Sequence, residues 1–219
     1  MTTLRHRIAT DTRYNMAGFP TAVLSFSMVV AGVSAGIGST VAFVGLPILA
    51  ATAAMARNFA DAELATISEV LGRPLARPEY RQAPAGAGRF RRMMNPLANG
   101  QSWIDLIYAI VAFPFSVVSF AVTAVWWAGA IAGLTFPLYG WILAAIPGFT
   151  DGSLTSLLGL GHDPATFVIF NTAIGVLFAL TLPPVVRGTA LMKASVAQAL
   201  LTRPVYDSRR VGAAVAAGV

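Results

Sequence analysis

The chain contains no cysteine, two histidines and few charged side chains. Without cysteine there is no disulfide, no thiolate metal site and no thiol nucleophile. His6 and His162 leave little material for metal binding or acid–base chemistry. Charged residues make up 11% of the 219 residues, against roughly 25% in an ordinary soluble domain. Hydrophobic residues make up 56%. So little polar surface cannot cover a soluble core, and so apolar a chain is not disordered. Motifs for chemistry are missing as well: there is no G-x-x-x-x-G-K-[ST] loop, no H-E-x-x-H and no paired carboxylates. Gly36-Ile37-Gly38 and Gly86-Ala87-Gly88 lack the third glycine of a dinucleotide loop. No catalytic, cofactor or metal residue is expected, and the chain is not expected to be an enzyme.

Charge is present in a telling distribution. The fifteen basic residues fall in three blocks. Arg5, Arg7 and Arg13 are N-terminal. Arg57, Arg73, Arg77, Arg81, Arg89, Arg91 and Arg92 are central. Arg187, Lys193, Arg203, Arg209 and Arg210 are C-terminal. Residues 14–56 carry no charge, and residues 93–186 carry only Asp105, Asp151 and Asp163. A helix needs about 20 apolar residues to cross a bilayer. The first stretch fits two crossings, about 19–35 and 40–56, joined by a glycine-rich turn at 34–39. In the second stretch, 165–186 reads as one crossing, and 103–147 as either one or two.

Basic flanks stay on the cytoplasmic side. The number of crossings between any two basic blocks must therefore be even, so 103–147 crosses once, at about 113–135. Trp103 to Ala112 becomes its cytoplasmic lead-in. Tyr139 and Trp141 mark the outer interface, and Trp141 to Ile146 lies there as a short helix. The expected architecture is all-α, with four transmembrane helices in two hairpins. Both termini face the cytoplasm, in the cell inner (plasma) membrane. An outer loop spans about 138–164, and residues 1–202 form one membrane domain followed by a tail, 203–219, that is flexible or held by a partner.

The cytoplasmic segment 57–100 carries a helical stripe, Ala60, Leu64, Ile67 and Leu71, ended by Gly72 and Pro74. Asp61, Glu63 and Glu69 lie off it. The stripe fits the bilayer surface, a neighbouring helix or a signalling partner. A linker rich in Pro, Gly and Arg follows. Arg89, Arg91 and Arg92 suit anionic lipid headgroups; a basic juxtamembrane run gives no reason to expect nucleic acid. Ser102 is placed to cap a helix, with Asp105 near its positive end.

Gly32 with Gly36 and Gly129 with Gly133 each form G-x-x-x-G, which allows close helix approach, either inside the chain or across a homodimer. Asn171 and Thr172 are the most polar deep pair and suit hydrogen bonds between helices. Asp151, His162 and Asp163 are candidates for sensing in the outer loop. No ionisable residue lies deep in an expected crossing, which disfavours a pump or ion-coupled transporter.

Several landmarks occur in a recognisable order. They are Gly45-Leu46-Pro47, Ala62-Glu63, Leu71-Gly72-Arg73-Pro74, Pro78-Glu79-Tyr80, Ser102-Trp103-Ile104-Asp105-Leu106-Ile107-Tyr108, Phe113-Pro114, Phe136-Pro137-Leu138 and Leu182-Pro183-Pro184-Val185-Val186-Arg187. With them the chain resembles, over about residues 13–202, the four-helix membrane "putative sensor" domain of actinobacterial histidine kinases. Leu64 stands where that family usually has Arg. The resemblance implies an input module of a two-component system, here without a phosphoacceptor histidine after Arg187. The expected role is a membrane sensor-like module that relays a membrane or extracytoplasmic cue, or a partner's state. Its expected partners are the lipid bilayer and a histidine kinase or another membrane protein. The alternative is an accessory subunit of a transporter or respiratory assembly.

Overall fold

The structure, a computed structural model, describes residues 4–39, 44–75, 80, 84, 86, 88–159, 161 and 163–202. Among these residues there are six helices and no strand. They are α1 (Leu4–Gly38), α2 (Gly45–Leu71), α3 (Arg89–Met94), α4 (Gly100–Ala144), α5 (Leu154–Leu157) and α6 (Pro164–Leu201).

Three helices, α1, α4 and α6, are long and apolar enough to cross a membrane. Their most apolar windows are only 17%, 39% and 22% buried within the chain. Water would penalise so much open apolar surface, whereas lipid matches it. The fourth expected crossing, α2, is not among them. The uncharged part of α2, Gly45 to Ala56, rises only about 18 Å at 1.5 Å per residue. The hydrocarbon core is about 30 Å thick, and Arg57 follows immediately.

Helix ends differ from the sequence expectation. α1 begins at Leu4 and runs past Ala35 to Gly38, so the chain turns from Ser39 rather than from Ser34. Gly36 serves helix contact instead of reversal: a Cβ there would meet the Leu49 side chain of α2. α4 is one helix of 45 residues through Pro114 and Pro137, and α6 runs through Pro183 and Pro184. Apolar surroundings offer a freed backbone group no water, so a helix with local adjustment outlasts the proline. Trp141 to Ala144 forms the last turn of α4, not a separate interfacial helix. α2 ends as expected at Gly72, whose φ of +66° glycine adopts without strain. On its stripe Ala60, Leu64 and Ile67 are buried, and Val70 takes the place expected of Leu71.

The chain divides into two compact units. The first comprises Met1–Met16 and Val118–Ala190, the second Ala17–Val117 and Leu191–Val219. In the first, Ala130, Leu182 and Val186 form a core flanked by Ile8, Trp126, Trp127 and Phe178. Gly133 of α4 lies against the Gly175 backbone of α6. In the second, Val29, Ala53, Ala56, Leu106 and Ala109 join α1, α2 and α4, and the rings of Phe26 and Phe113 stack at 4.4 Å. The segment Trp103 to Ala112 thus packs on the middle of α1 and leaves Ile104, Ile107 and Ile110 exposed.

Candidate functional site

The second unit holds a partly open cavity with polar and apolar walls. Thr21 and Ser25 of α1, Glu63 of α2, Tyr108 and Ser116 of α4, and Lys193 of α6 supply its polar wall. Ala22, Phe59, Ala109 and Ala112 supply the apolar wall. Lys193 Nζ lies 3.2 Å from Glu63 Oε1, and the two side chains are 2% and 11% exposed. The Tyr108 hydroxyl donates to the same carboxylate. Glu63 therefore ties α2 to both α4 and α6. The lysine reaches it across Gly18 of α1, where a Cβ would collide with the ammonium group. Ser116 is 1% exposed and its Oγ has no hydrogen-bond partner.

A second polar cluster fixes the linker. Arg57 Nε donates to Ser102 Oγ at 2.7 Å, and its guanidinium lies 4.4 Å from the Tyr80 ring centroid. The Tyr80 hydroxyl donates to Asp105 Oδ2 at 2.9 Å, and Gln101 Nε2 donates to Oδ1 at 3.2 Å. Burial, then the charge and hydrogen bond of Asp105, push the Tyr80 phenol well above its ordinary range. It remains a donor at physiological pH.

The first unit has its own polar centre. Asn15 Nδ2 lies 2.9 Å from both Thr123 Oγ1 and Thr189 Oγ1, and 3.2 Å from the Val186 carbonyl. Arg187 donates to Asp11 at 2.9 Å. Trp127 Nε1 donates to Thr12 Oγ1 at 3.2 Å.

Set against these clusters, the residues singled out from sequence separate into uses. Gly32 faces Thr52, Gly36 faces Leu49, Gly129 faces the Phe178 ring and Gly133 faces Gly175. All four serve packing inside a unit. Asn171 donates to the Phe167 carbonyl of its own helix at 2.9 Å, and Thr172 does the same to Val168 at 2.7 Å. Neither side chain reaches another helix through these bonds, because the i−4 carbonyl is the nearer acceptor. Arg89, Arg91 and Arg92 are exposed on α3, which buries no residue. Asp151 is exposed. Asp163 accepts from Thr166 N at 3.1 Å and so caps α6. His162 and the tail 203–219 lie outside the described residues, as do Arg77, Pro78, Glu79 and Arg81 of the linker. Ser102 does not cap α4, because the helix already starts at Gly100. Asn99 Oδ1 takes the Gln101 N–H at 3.2 Å instead. Asp105, expected near an interface, is 1% exposed. Among the described residues no three His, Asp or Glu side chains gather as a metal site would require.

The Lys193 pair was not foreseen, although a signal existed. Val186, Ala190, Lys193, Ala197 and Leu201 follow spacings of 4, 3, 4 and 4, so the lysine occupies the apolar stripe of α6. The order of landmarks pointed elsewhere, to a family, and the family model described as "Putative sensor" matches residues 14–201. The chain belongs to this family. The match takes in α2, α3, α4 and α5 whole, together with most of α1 and all of α6. It includes every side chain of the cavity. No curated protein and no solved structure matches the chain.

Proposed function

We propose that this chain is a non-catalytic membrane sensor-like module whose input changes helix packing around the Lys193–Glu63 pair. The observation that carries the reading is that pair itself. It joins α2 to α6 in a cavity also walled by α1 and α4, so a cue reaching it bears on every long helix of the second unit. A buried charge pair has two well-separated states, closed or broken, which suits a switch better than an apolar contact. The output surfaces are the exposed basic helix α3 and the C-terminal end of α6, read by a cytoplasmic partner of the histidine-kinase type.

The topology belongs to the same proposal. The chain passes the inner membrane an even number of times, four in two hairpins, with the three basic blocks inside. The charge distribution supports this, and α2 supplies the shortest pass. The glycine ridges, which would have supplied a contact face for an accessory subunit, are occupied within the chain. Photo-cross-linking in cells from position Ser195, exposed near the end of α6, tests the output. Capture of a histidine kinase supports signalling. Stoichiometric capture of a transporter or respiratory complex contradicts it.

A further inference from the structure

The cavity of the second unit has unused binding capacity. Its charged walls, Lys193 and Glu63, cancel one another. An ionised ligand would enter without a counter-charge of its own, which is costly wherever it gives up hydration. Around the pair the walls include Ala22, Phe59 and Ala109. Into this surface comes the hydroxyl of Ser116, 1% exposed and without a hydrogen-bond partner. Buried hydroxyls are seldom left so. Counting the open solvent at its mouth, the space is about 290 Å³; only about 20 Å³ of it admits the centre of a water molecule. The enclosed part is far smaller than an ordinary ligand pocket of about 300 Å³, so only the hydroxyl end of an occupant enters it and the apolar body lies at the mouth. About 10–15 Å³ already suffices for one water, which makes water the rival occupant.

We propose that this cavity binds a small neutral molecule carrying a hydroxyl on a short apolar body. The ligand hydroxyl both donates and accepts, as Ser116 can, and the apolar body meets the alanines and Phe59. The same chemistry is offered by a free short-chain alcohol and by the hydroxyl end of a neutral lipid such as diacylglycerol. Such a ligand would be the input of the sensor-like module. The inference rests on that reading for its consequence, while the binding itself is measured independently of topology and output.

The test uses the full-length chain in phosphatidylcholine nanodiscs. In one arm 1-butanol is titrated and its binding followed by saturation-transfer NMR. In the other the nanodiscs contain diacylglycerol, and retained lipid is read by native mass spectrometry. The expected result is saturable binding that Ser116→Ala weakens about tenfold (about 1.4 kcal/mol). Ala112→Leu, which fills the cavity, abolishes it. Retention of diacylglycerol identifies a lipid source, and butanol binding alone a free solute. No saturable binding in either arm overturns the site, because the cavity then holds water only; equal binding by Ser116→Ala overturns it too, because the ligand then binds elsewhere. Ser116→Ala removes a single oxygen, so the test stands even where Ala112→Leu fails to fold. Failed binding by a protein that still cross-links to a kinase overturns the site and leaves the sensor reading intact.

Discussion

Lys193 and Glu63 show how much a single residue decides in this chain. Breaking a buried ion pair strands the partner's charge and costs about 3–5 kcal/mol, whereas replacing both partners with apolar groups is often neutral. Lys193→Met is therefore expected to lower thermal stability in mild detergent sharply. Lys193→Met combined with Glu63→Leu should restore most of the loss. A double variant as unstable as the single one would remove the pair from the account. Tyr80 gives the pH counterpart. Its phenol is raised in the fold, so its contribution is complete below its ordinary value of about 10 and is lost only as pH climbs through the raised value. The stability difference between wild type and Tyr80→Phe, about 1–3 kcal/mol for a buried acceptor short of one donor, should stay flat from about pH 6 to 9. Chemical denaturation across that range checks it. Glu63 was legible as a charge beside a stripe and as part of the Ala62-Glu63 landmark, not as a buried ion-pair partner. What sequence could not supply was Gly18, whose missing Cβ lets the lysine reach across α1.

Among the helices, contact depends on where a Cβ can be tolerated. At Gly133 a Cβ would run into the Gly175 backbone, which cannot turn aside; at Gly129 it would meet the Phe178 ring 2.8 Å away, a side chain that can. At Gly38 it would meet nothing within 4 Å. Gly133→Ala should therefore cost the most, about 1–3 kcal/mol as in other overpacked sites, and Gly129→Ala less. Gly38→Ala should be neutral or slightly stabilising. Melting temperatures of the three variants in one detergent give the order, and a Gly38→Ala that destabilises most would contradict it. The G-x-x-x-G spacing made half of this visible. Its partner, Gly175, lies 42 positions from Gly133 along the chain, and only the α4–α6 pairing brings them together. Helix existence was readable from uncharged runs. The end of α2 at Gly72 was readable as well. The extents of α4 and α6 were not, because Pro114, Pro137, Pro183 and Pro184, which would punctuate a soluble chain, lie inside these apolar helices.

Across the whole molecule, the family and the all-α class were open to reading from the order of weak motifs and from charge-free stretches. The count of passes was less open. Arg57 interrupts α2 too early for a comfortable span, and α4, at about 68 Å, is far longer than the hydrocarbon core. The sorting of basic residues to one side therefore carries the topology. The natural absence of cysteine makes it directly measurable. Single cysteines placed by Ser153→Cys, Arg89→Cys and Ser195→Cys can be labelled in intact cells with a membrane-impermeant maleimide. The account predicts labelling at position 153 from outside, and at 89 and 195 only after the membrane is opened. Outside labelling at 195, or labelling of 153 and 89 from the same side, would contradict it.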